Sequence, residues 1–140
     1  MKYATLWMAG FVFLTILDGL VLSFVLGPFF RAHLQPFLRF ENGLVKINVA
    51  AALVVWALLS AGLVGFVLPR LASFHHFSGA MMVGAAFGAV VYGIFDFTNM
   101  AILRGWPLKV VGVDMAWGAV LCSAASTLLY VLDRRFFDGT

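Results

Sequence analysis

Residues 92–118 read YGIFDFTNMAILRGWPLKVVGVDMAWG. Two apolar runs flank the short turn Arg104-Gly105-Trp106-Pro107, and each run carries one aspartate, Asp96 and Asp114. The flanking sequence extends the first run back to Ser78 and the second on to Leu132. A membrane-spanning helix needs roughly 20 mostly apolar residues, and both runs exceed that length. Gly105 is placed to end one helix and Pro107 to begin the next, the position each residue prefers. Trp106 between them suits the membrane interface, where amphipathic rings collect. The stretch therefore predicts a tight antiparallel helical hairpin in lipid.

The rest of the chain agrees. Its 140 residues are 64% hydrophobic and 11% charged, with mean hydropathy +1.05. A soluble domain averages roughly 45–50% apolar and about 25% charged, so the apolar excess calls for lipid as solvent. Spanning segments are expected at about 3–26, 47–68, 78–103 and 108–132. Lipid cannot satisfy exposed backbone groups, so all are helices. The predicted fold is all-α, a single membrane domain over 1–140 built as a four-helix bundle. The first apolar stretch exceeds a signal-peptide core and lacks a clear A-x-A cleavage site, so it is read as a retained helix.

An even number of spans places both ends on one side. The connection 27–46 puts Phe30, Leu34, Phe37 and Leu38 on one helical face, which predicts an amphipathic segment lying in the interface, broken at Pro36. Lys2, Arg70, Arg134 and Arg135 fall on the terminal side; Arg31, Arg39, Lys46, Arg104 and Lys109 fall on the other. Four against five does not orient the protein by the positive-inside rule. Gly84 and Gly88 form one small-residue ridge, and Asp114, Gly118, Cys122 and Ser126 another, as helices packed closely in lipid require.

Several classes are excluded. No Lys/Arg run of the nucleic-acid-binding kind is present. The basic residues at segment ends suit lipid headgroups. Cys122 is the sole cysteine, so neither an intrachain disulfide nor a cysteine metal site can form. No histidine lies in a span to ligate haem, and the His75-His76 pair in loop 2 reads as solvated. Neither a metal nor another cofactor is expected.

The acids are the informative residues. Glu41, Asp133 and Asp138 are assigned to loops or the tail, whereas Asp18, Asp96 and Asp114 lie within spans. Asp18 precedes Gly27 by nine residues and Asp96 precedes Gly105 by nine, each about 13 Å from its helix end; Asp114 follows Pro107 by seven, about 10 Å. All three fall at similar depth in one half of the membrane. The predicted ligand or ion site is a polar pocket of Asp18, Asp96, Asn99 and Asp114, walled by Tyr92 and Trp117, with Asn48 nearby. Close carboxyls cannot all ionise without a counter-charge, so a proton or a cation must sit among them. Ionisable residues inside a span are functional by default.

The opening stretch resembles a bacterial family of small four-span membrane proteins without an established function. Its pattern runs Y-x-x-x-D-x-T-N-x-A-x-L-x-G-W-P and then D-x-x-W-G. Tyr92, Asp96, Thr98, Asn99, Ala101, Leu103, Gly105, Trp106, Pro107, Asp114, Trp117 and Gly118 match directly. Leu17-Asp18 matches an L-D of helix 1, but the W-L that follows there is replaced by Gly19-Leu20-Val21-Leu22. The resemblance implies the fold, the site residues and a multi-pass protein of the bacterial inner membrane; it implies no reaction. The expected function is a proton- or cation-linked carrier or channel-like protein. It would act as a homo-oligomer among membrane lipids, with a cation or small molecule as ligand. A lipid-active enzyme using paired aspartates, or an accessory subunit of a larger membrane complex, are the alternatives.

Overall fold

A computed structural model describes residues 1–71 and 73–137; Asp138, assigned to the tail, lies outside them. Four long helices account for nearly all of it: α1 (Lys2–Phe37), α2 (Val49–Leu71), α3 (Phe77–Ile102) and α4 (Leu108–Phe136). Each is long and apolar enough to cross a membrane. The ends of the bundle agree with an even number of spans, since Lys2 at the start of α1 meets Asp133 in the last turn of α4 at 2.7 Å. Asp133 is therefore helical and paired, not part of a loose tail.

Helix α1 does not stop at Leu26. It widens into a π turn over Leu22–Leu26 and continues as α-helix over Gly27–Leu34. The cause is Pro28. Proline lacks the N–H for the preceding turn, and its ring collides with the carbonyl four residues back. A π turn re-pairs those carbonyls and lets the helix pass. The widened turn brings the Leu22 carbonyl oxygen onto Gly27, where a Cβ would have no room. Helix α2 repeats the device at the same offset, with a π turn over Leu63–Val67 before Pro69.

The expected interfacial segment is thus largely a continuation of α1, and its apolar face turns inward. After a 3-10 turn at Gln35–Phe37 around Pro36, a short hairpin pairs β1 (Phe40–Glu41) with β2 (Leu44–Val45). Asn42 and Gly43 form its tip with φ of 52° and 78°. Asn-Gly is the strongest short hairpin signal, and the sequence reading passed over it. An ion pair between Glu41 and Lys46 flanks the turn. Asn48, expected near the acids, instead caps α2: its side-chain oxygen accepts from the Ala51 N–H at 3.1 Å.

The helices close on each other by two means. Helices α3 and α4 meet along the two small-residue ridges: Gly84 sits on Ser126 and the Cys122 carbonyl, and Gly88 on the Gly118 carbonyl. Helices α1 and α2 are tied by polar contacts. Trp7 Nε1 donates to the Ala57 carbonyl at 3.0 Å, and Ser60 Oγ donates to the Trp7 carbonyl at 2.7 Å. Leu6, Leu14, Leu63, Leu121 and Leu129 fill the space between, all fully buried.

Gly88→Val drives a branched side chain into the α4 backbone and is expected to destabilise the bundle by about 1–3 kcal/mol or more. Gly19→Ala meets nothing within 4 Å and is expected to be neutral or to stabilise by up to about 1 kcal/mol. Unfolding titrations in mixed detergent micelles check both.

Candidate functional site

Asp18, Asp96 and Asp114, each on a helix long and apolar enough to cross a membrane, separate into two arrangements. Asp18 is buried at the meeting of three helices. Trp56 on α2 donates its indole N–H to Asp18 Oδ2 at 2.8 Å, and Trp117 on α4 donates to Oδ1 at 2.7 Å. Side chains on a helix lean toward its N-terminus. Trp56 therefore leans toward the Asn48 end of α2, the end at which antiparallel α1 carries Asp18. One carboxyl group thereby ties α1 to α2 and α4, and both of its oxygens are occupied.

Asp96 and Asp114 face one another across the α3–α4 hairpin, their carboxyls close enough to interact directly. Asp96 is 0% exposed. Its Oδ1 accepts the Trp106 indole N–H at 3.2 Å, while its Oδ2 is buried and meets no N–H or hydroxyl donor, which leaves the Asp114 carboxyl as the neighbouring group able to share a proton with Asp96. A buried carboxyl oxygen left without a donor costs free energy, so this one marks where a proton or a ligand is wanted. Asp114 is half-buried and lies within electrostatic reach of Asp18.

Both members of the pair line a cavity of about 420 Å³. Asn99 and Trp106 share its polar side. Phe30, Leu34, Phe37 and Leu38 from the end of α1 form the opposite wall. These four are the face that the sequence assigned to the membrane interface. Of the sequence-predicted pocket, Asp96, Asn99 and Asp114 come together in the cavity, whereas Asp18 and Trp117 form the adjoining clasp. Tyr92 lays its ring on Gly118 between the two, at the α3–α4 contact, and does not line the cavity.

The turn also differs from its expected role. Gly105 adopts φ of 81°, as a turn glycine does. Pro107 is the N-cap of α4 rather than its first helical residue. Trp106 points its N–H inward to Asp96 and packs its ring against Phe37 and Phe95, at centroid distances of 5.3 and 6.3 Å. A buried acceptor needs a donor, and this need outweighs anchoring at the interface.

Trp56 was missed by sequence reasoning. The signal was there: it follows Ile47 by nine residues, about 13 Å from the end of its span, the depth of Asp18. All four tryptophans of the chain donate, three of them to aspartates.

A bundle of four apolar helices with its acids buried against indole donors is that of a multi-pass α-helical membrane protein. More particularly, the chain belongs to the family described as "Predicted membrane protein (DUF2177)", whose match covers residues 3–131. No curated protein and no solved structure matches it.

Trp56→Phe and Trp117→Phe each remove one donor from Asp18 and are expected to cost about 1–3 kcal/mol of stability. A double-mutant cycle of either with Asp18→Asn is expected to be non-additive, because the residues share one network. Additive losses in the unfolding titrations would deny the clasp.

Proposed function

We propose that the protein is a proton- or cation-linked carrier of the bacterial inner membrane, with the Asp96–Asp114 pair as its exchange site and Asn99 as an accessory ligand. The observation that carries this reading is Asp96 Oδ2, buried and unpartnered beside a second carboxyl at the back of a cavity. Two adjacent carboxyls cannot both carry charge in an apolar setting without a counter-ion. Among the described residues, those lining the cavity include no lysine, arginine or histidine. A proton shared by the pair meets the need, and an entering cation displaces it. That exchange is the elementary act of coupling.

Asp18 supports the site without joining it, holding α1 and α4 so that the wall from α1 covers the pair. The bundle interior on the far side of Asp18 is filled by Leu6, Leu14 and Leu129. A path across therefore requires a movement of the α3–α4 hairpin or a seam between copies, and a homo-oligomer supplies such a seam. The apolar walls favour one second reading, an enzyme acting on an amphiphile with the pair as general acid and base.

Reconstituted in liposomes under an imposed proton gradient, the protein is expected to pass protons or a cation. Asp96→Asn and Asp114→Asn are each expected to lower the flux about a hundredfold or more, the scale of removing one acid–base group. Undiminished flux in both variants sinks the carrier reading. A lipid species that changes on deletion of the gene, with no flux, favours the enzyme.

A further inference from the structure

We propose that the ligand of the Asp96–Asp114 cavity is an amphiphilic organic cation, an ammonium head on a hydrocarbon body. The inference rests on the exchange-site reading of that pair and names the class of molecule it takes.

Size is the first argument. A volume of about 420 Å³ is far beyond a bare ion and lies within the range of small-molecule pockets, roughly 300–1,000 Å³. The chemistry of the walls is the second. Hard metal ions collect six or more oxygens. Here the side-chain oxygens come from Asp96, Asn99 and Asp114 alone, and the remainder is Phe30, Leu34, Phe37, Phe95 and Val110 with their neighbours. An inorganic cation would leave most of the cavity unused.

Charge is the third. Among the described residues, the lining set contains no basic side chain, so a carboxylate or phosphate head finds no counter-charge beside the acids. An ammonium head does: Asp96 Oδ2 is unpartnered and buried, and Asp114 lies beside it. The aromatic arrangement is the fourth. Trp106 stands between Phe37 and Phe95, at 5.3 and 6.3 Å between centroids, with its N–H edge on the acid it hydrogen-bonds. Clustered aromatic rings are a recurring means of holding alkylated ammonium groups, and Phe37, Phe95 and Trp106 line the same cavity as the acids. The hydrocarbon body then lies along Leu34, Phe37 and Leu38, the inward face of the α1 extension.

The test uses the full chain in neutral maltoside micelles, with dodecylammonium as probe. Binding is read by equilibrium dialysis and by tryptophan fluorescence, to which Trp106 reports directly. Saturable binding is expected, with dodecanol and dodecanoate at least about tenfold weaker. Asp96→Asn and Asp114→Asn are each expected to weaken dodecylammonium about tenfold or more, with Trp106→Phe intermediate. Having two acid variants guards against the failure of either to fold. Equal binding of dodecanol, or full affinity in both acid variants, overturns the proposal.

In nanodiscs, competition by ethanolamine phospholipid against a choline-lipid background places the head on a lipid. Lack of competition places it on a free amine; either result upholds the class. Binding without flux overturns the carrier and leaves this inference standing. Flux of protons or alkali ions by a protein that does not bind the probe does the reverse.

Discussion

The hydrogen bond from a tryptophan indole to a buried aspartate organises this protein. In lipid an unsatisfied carboxyl oxygen is costly, and a chain with no lysine or arginine well inside its spans cannot satisfy one by ion pairing. Indole is the compromise: an apolar body with one N–H, a donor that brings no charge. Trp56 and Trp117 spend theirs on the two oxygens of Asp18, from different helices. Three helices thereby acquire a common point and a fixed register. Dispersion between apolar side chains alone would leave them free to slide, since lipid competes equally for such surfaces.

Asp96 shows the same chemistry half completed. One oxygen is held by Trp106 from the adjoining turn, the other meets no N–H or hydroxyl donor, and the Asp114 carboxyl lies beside the group. The difference between Asp18 and Asp96 is the difference between a strut and the proposed site. A fully satisfied polar group rigidifies what it touches, whereas a partly satisfied one retains capacity for a ligand or a proton. The close approach of α3 to α4 through Gly84 and Gly88 holds the two carboxyls together. Larger residues there would part the helices and the pair with them.

The proline-linked π turns connect this frame to the cavity. Because α1 passes Pro28 by widening rather than ending, it continues to Leu34 and carries Phe30, Leu34 and Phe37 over the acids. A helix ended at Leu26 would leave the pair open on that side. The local cost of a π turn, which loosens the regular hydrogen-bond ladder, is offset by the wall it positions.

Much of this was legible without coordinates. Hydropathy and length determined four helices, because lipid admits few other structures. Helical rise predicts a common depth for the three acids, and the fourfold spacing of Gly84 with Gly88 and of Gly118 with Cys122 marks the edges along which α3 and α4 pack. The helix direction past Pro28 was not legible, since a proline can stop, kink or widen a helix and neighbours choose among these. Nor was the division of three acids into one clasp and one pair. Depth is a one-dimensional quantity set by counting residues. Which indole reaches which oxygen depends on the rotation of each helix about its axis, and only the packing of Gly10 against Ser60 and of Gly88 against Gly118 settles that rotation.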